Sequence, residues 1–105
     1  MRKYETLVLF SPELNDEERN SALQNLKNVI EREKGQILSV DEWGMRDLAY
    51  PVRKMMRGFY VRLEFLLDSL AVQEFERHIR LTENIFKFVT VVLGKPDAVV
   101  VEEAS

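Results

Sequence analysis

The side chains of this chain best suited to chemistry are cations grouped around one aromatic ring. Arg46, Tyr50, Arg53 and Lys54 lie in the stretch Gly44-Met45-Arg46-Asp47-Leu48-Ala49-Tyr50-Pro51-Val52-Arg53-Lys54. Guanidinium and ammonium groups pair with phosphates, and a tyrosine among them can stack on a base, so the chemistry these residues could do is noncovalent recognition of RNA. Residues 43–62 hold five cations (Arg46, Arg53, Lys54, Arg57, Arg62) against Asp47, a local charge of +4 in a chain whose net charge is −3. The remainder therefore stands at −7. Such a chain attracts a polyanion at one place and repels it elsewhere. Tyr50 precedes Pro51 and is pushed toward extended geometry, while Pro51 has no N–H for a ladder, so the segment reads as an edge strand running into a loop. Lys and Arg on an edge also discourage aggregation, a purely structural use of the same charges.

Covalent chemistry has no comparable basis. His78 is the single histidine and lies on a helical pattern beside Arg77; it reads as an exposed helix residue. Asp16, Glu17 and Glu18 suit the positive end of a helix dipole. Gly35, Gly44, Gly58 and Gly94 are isolated and form no phosphate-cradling loop. With no cysteine, disulfides and thiolate metal sites are excluded. No catalytic residue, metal site, cofactor or small-molecule substrate is expected.

The elements that must position the arm follow from periodicity. Tyr4 to Phe10 alternates as a strand and stops at Ser11-Pro12. Asn15 with Glu18 forms a capping box, and Ala22, Leu23, Leu26, Val29 and Ile30 recur at helical spacing, predicting a helix from Asp16 to about Lys34 with Gly35 as its stop. Gln36 to Met45 is a strand whose imperfect alternation suggests a bulge. Gly58 separates it from Phe59 to Leu67, the cleanest alternation in the chain. Asp68 or Ser69 caps a second helix to about Leu81, with Val72, Phe75 and Ile79 inward and Glu74, Glu76, Arg77, His78 and Arg80 solvated. Ile85 to Leu93 is the last strand.

This order is that of an α+β, ferredoxin-like βαββαβ fold, a four-stranded antiparallel sheet with two helices on one face. Residues 1–93 form the single domain and 94–105 a flexible C-terminal tail, with Val99 to Val101 as the one contrary signal. If Val8, Phe10, Val61, Leu63 and Phe65 meet the helices, then Glu5, Leu7, Leu9, Tyr60, Arg62, Glu64, Val89 and Val91 lie on the open face. Its apolar content calls for a partner. The aromatic signature of base-stacking sheets is missing, because Leu7 and Leu9 stand where rings would be wanted, so a protein is the better occupant. The composition, 46% hydrophobic and 31% charged, is that of a globular protein. No apolar run spans a bilayer. The apolar segment after Arg2-Lys3 ends at Pro12, too short for a secretory signal, so the cytoplasm is expected and no membrane partner.

The stretch from Gly44 to Lys54, closing at Gly58-Phe59-Tyr60, resembles the signature of bacterial small-subunit ribosomal protein six. The opening Met1-Arg2-Lys3-Tyr4-Glu5 with Pro12, and Arg80-Leu81-Thr82-Glu83-Asn84-Ile85, resemble it too, over residues 1 to about 93. The resemblance implies a ferredoxin-like fold and a structural constituent of the small (30S) ribosomal subunit, binding 16S ribosomal RNA in the central domain together with small-subunit protein eighteen. Carried over by position, it implies Arg2, Lys3, Arg46, Tyr50, Arg53 and Lys54 for RNA, followed by Arg80 and Lys87. Asp47 departs from a second basic residue, and Met55 and Met56 replace more polar ones. The partner-protein face is expected to comprise Leu7, Leu9, Tyr60, Arg62, Val89 and Val91. The alternative from the residues alone is a ferredoxin-like homodimer that binds a small molecule or acts as a sensor.

Overall fold

The computed structural model describes residues 1–93 and 102–104. Its elements are β1 (Arg2–Phe10), α1 (Asp16–Arg32), β2 (Gln36–Val52), β3 (Met55–Leu67), a 3-10 turn (Ser69–Ala71), α2 (Val72–Arg80), β4 (Ile85–Val92) and β5 (Glu102–Ala104). The sheet is antiparallel in the order β2-β3-β1-β4-β5. Its first four strands give the expected ferredoxin-like order, with the short β5 added. Of the stretch read as a tail, residues 94–101 and 105 lie outside the described residues. Residues 102–104 pair with Phe88, Val89 and Thr90 of β4, which would otherwise be an open edge.

The core follows the period of two in the strands and of 3.6 in the helices. Tyr4, Val8 and Phe10 of β1, Val61, Leu63, Phe65 and Leu67 of β3, and Phe88 and Val92 of β4 share one buried cluster with Leu23, Leu26, Val29 and Ile30 of α1 and Phe75 and Ile79 of α2. Both helices therefore cover the same face. Thr6 and Thr90, also buried there, share a hydroxyl hydrogen bond of 3.0 Å. Glu76, expected in solvent, is buried at 2% exposure: α2 lies close enough to the sheet that its inner face includes the position after Phe75.

Asn15 caps α1, its Oδ1 accepting from Glu18 N at 2.8 Å while Glu18 Oε1 accepts from Asn15 N at 3.2 Å. The C-terminal stop is one residue earlier than expected. Lys34 adopts the left-handed conformation (φ 65°), its N–H donating to Glu31 O at 2.9 Å and that of Gly35 to Ile30 O at 2.8 Å, a Schellman motif with lysine in the usual glycine position. Gly35 serves packing instead. A Cβ there would meet the Leu66 carbonyl oxygen and come within 2.9 Å of Ile30 Cγ2.

The principal difference from the sequence reading is the hairpin. Gly58 does not end an element; it lies within β3 opposite Arg46, where an added Cβ would strike the Leu9 side chain. The segment expected to leave the sheet as a loop continues as β2 to Val52 and returns as β3 from Met55. Bulges fall between Ile37 and Ser39, between Glu42 and Gly44, and between Asp47 and Val52. In the last of these, residues 48–51 face Met56 alone, so Pro51 sits where no ladder bond is required.

Candidate nucleic-acid and protein interface

The two-residue turn at the hairpin tip is Arg53-Lys54, flanked by the Val52–Met55 pair. Both have left-handed φ, 49° and 66°, the geometry that tight hairpins usually take with Asn-Gly. Both side chains are exposed. The wide bulge bends the arm toward β4. Lys87 Nζ donates to Tyr50 Oη at 2.7 Å and lies 5.2 Å from the Tyr50 ring centre. The Arg53 guanidinium lies 5.1 Å from the centre of the Phe86 ring. Lys87, which periodicity alone did not connect to the arm, thus belongs to it.

Of the residues expected to meet RNA, Arg46, Tyr50, Arg53, Lys54 and Lys87 gather at the end of the sheet where β1 finishes. Among the described residues, Arg46, Arg53 and Lys54 make no ion pair. Asp47 pairs with Arg57 across the hairpin at 3.0 Å, so the one anion of the arm cancels a cation outside this group. Arg2 and Lys3 lie at the other end of β1, opposite Leu67 and Leu66, roughly 25 Å away at about 3.4 Å per residue. Arg80 ends α2 with its guanidinium 5.4 Å from the Phe88 ring centre, on the helix side of the sheet. The eight residues therefore do not form one patch.

The open face has the expected membership. Leu7 is opposite Arg62 and Val89, Leu9 opposite Tyr60 and Lys87, and Glu5 opposite Glu64 and Val91. Leu7, Tyr60, Arg62, Val89 and Val91 are half-buried. Leu9 is only 2% exposed, held between its neighbours above Gly58, and so offers a partner almost no surface. An ionic network crosses this face. Arg62 bridges Glu5, Asp41 at 3.2 Å and Glu64 at 3.5 Å, and Lys3 holds Glu64 at 2.9 Å. Its hydrogen bond to Glu5 raises the Arg62 guanidinium above its ordinary pKa, and that from Lys3 lowers the Glu64 carboxyl below the usual range. Lys3 is thus committed first to the sheet.

Trp43 is an exposed aromatic beside the arm that the sequence pattern did not single out. It is the extra residue of the Glu42–Gly44 bulge, 45% exposed, with its ring 6.5 Å from that of Tyr60. Gly44 takes the φ of +89° that the bulge requires. The large aromatic beside a glycine in an imperfect alternation was the available signal. His78 contacts Glu74 at 3.2 Å and Arg32 at 3.1 Å, and among the described residues no group of three His, Cys, Asp or Glu converges on a metal position.

A sequence model of ribosomal protein S6 matches residues 3–92. The chain belongs to the ribosomal protein S6 family. It is 61% identical over 94 residues to small ribosomal subunit protein bS6 of Oleidesulfovibrio alaskensis, covering 90% of this chain and 93% of that one. To the protein of the same name from Nitratidesulfovibrio vulgaris strain Miyazaki F it is 59% identical, with the same coverage. The crystal structure of 30S ribosomal protein S6 from Thermotoga maritima superposes with a TM-score of 0.82 at 34% identity, covering 87% of this chain and 86% of that one. S6-family proteins are structural and not enzymes.

Proposed function

We propose that this S6-family chain is a structural constituent of the small ribosomal subunit, bound to central-domain 16S ribosomal RNA through its arm and to small-subunit protein eighteen through its open face. It works in the cytoplasm, on the 30S subunit. The observation that carries this reading is the pair of exposed left-handed cations at the arm tip, Arg53 and Lys54, with Arg46 and Lys87 near the same sheet end. A strained turn built from cations places charge where a rigid strand presents it to phosphates. For the open face, the network of Lys3 and Arg62 with Glu5, Asp41 and Glu64 sums to −1, which suits a basic partner beside the aliphatic Leu7 and Val89. Family membership sets aside the alternative of a homodimeric small-molecule sensor.

The test is the salt dependence of binding to a central-domain RNA fragment in the presence of the partner. Neutralising Arg46, Arg53 or Lys54 one at a time should each lower the slope of log K against log salt by roughly one. Unchanged slopes for all three would remove the arm from the RNA interface.

A further inference from the structure

Tyr60 is a ridge between two depressions of unlike chemistry. On the β1 side, Leu7, Leu9 and Val89 join it with Lys87 around a largely aliphatic hollow of about 210 Å³. On the β2 side, Tyr60, Trp43 and Arg46 line an open cleft of about 460 Å³. The first suits aliphatic side chains of a protein. The second has two rings inclined at 50°, an exposed indole and a guanidinium without an ion pair among the described residues.

We infer that the Trp43–Tyr60–Arg46 cleft seats one unpaired nucleobase of the RNA, stacked on the indole with a neighbouring phosphate on Arg46, a role that rests on the RNA reading of the arm. A nucleotide supplies in one ligand the flat apolar face that the rings call for and the anion that Arg46 calls for. A basic protein partner offers few anions and no flat base to go with them. Charge on the same face separates the two occupants: the carboxylates at Glu5, Asp41 and Glu64 surround Arg62, while Arg46 lies four residues along the ladder, opposite Gly58, on the hairpin that carries Arg53 and Lys54. The bulge turns Trp43 out of the alternation, and an indole exposed on an edge strand adds little to the core. Tyr60 is then shared, one flank facing the partner protein and the other the base.

Trp43 is the only tryptophan, so its emission reports the cleft directly. The full chain is titrated with a central-domain 16S RNA fragment, with the partner alone and with both; labelled RNA follows binding independently, and Trp43→Phe serves as the blank for partner emission. Quenching should track RNA binding and be absent with the partner alone. Trp43→Leu, which keeps apolar bulk but removes the ring, should weaken RNA binding roughly tenfold, and Trp43→Phe should restore most of it. RNA binding with unmoved emission and an unaffected Trp43→Leu variant overturns the cleft and leaves the arm standing. Emission that responds to the partner alone, with Trp43→Leu losing the partner but not RNA, assigns the cleft to protein and overturns it too. If the wild type binds no RNA with the partner present, the arm reading and the cleft fall together.

Discussion

Replacing Arg53-Lys54 by Asn-Gly should make the protein more stable and a poorer RNA binder. Each left-handed residue with a side chain costs about 1 kcal/mol, and Asn-Gly removes most of that at both positions. Loss of the Arg53–Phe86 contact gives back about 0.5–1 kcal/mol. The strain term wins, and a net gain of about 1 kcal/mol should raise Tm by roughly 5 °C. The same double variant should lower the salt slope of RNA binding by about two, because two phosphate contacts disappear. Opposite signs in the two measurements identify the turn as one held in an unfavourable conformation for contact. A lower Tm would mean that the turn is not strained, and an unchanged slope that its charges are idle.

Arg62→Met should destabilise the fold by about 2 kcal/mol at pH 7 while leaving the core intact. The Arg62 side chain is 19% exposed and holds three carboxylates, of which Glu5 and Glu64 are directly opposite each other in the ladder. Methionine keeps the packing of the stem but leaves like charges facing each other, a destabilising cross-strand arrangement. The sign with pH follows from Glu64. Its folded pKa is lowered, so its stabilisation is present above the unfolded value of about 4.3 and is lost as pH falls through the folded pKa. The wild type should therefore lose stability on acidification below about pH 4.5. In Arg62→Met the same acidification neutralises Glu64 and relieves its repulsion of the facing strand, so the gap between the two proteins should narrow as pH falls below about 4.3. Urea denaturation across pH measures this, and a constant gap would show that the network does not act through charge.

The layered fold was legible because its signals are local and repeated. The alternation of Phe59 to Leu67 and of Tyr4 to Phe10 assigned the two faces in register, and Asn15 with Glu18 marked the start of α1 to the residue. What escaped the sequence depends on unusual turn chemistry or on long-range contact. Arg53-Lys54 has no glycine or asparagine, so nothing announced a two-residue turn, and Gly58 looked like a break when its function is to admit Leu9. The helix stop fell on Lys34 because the Schellman bonds, not the glycine, decide the geometry. Glu76 and Leu9 looked exposed by composition and face, yet neighbours on other elements bury both. The cations of the site were readable as types; that Lys87 meets Tyr50 required the bend of the hairpin, and Arg2 and Lys3 lie at the far sheet end because β1 runs its whole length between them and the arm.

The division of labour between arm and open face is tested most directly by a gel shift on a central-domain 16S RNA fragment with and without small-subunit protein eighteen. With a net charge of −3, the chain alone should bind weakly, and the partner should move half-saturation to a much lower protein concentration. Equal shifts with and without the partner, or no shift in either case, would contradict the account.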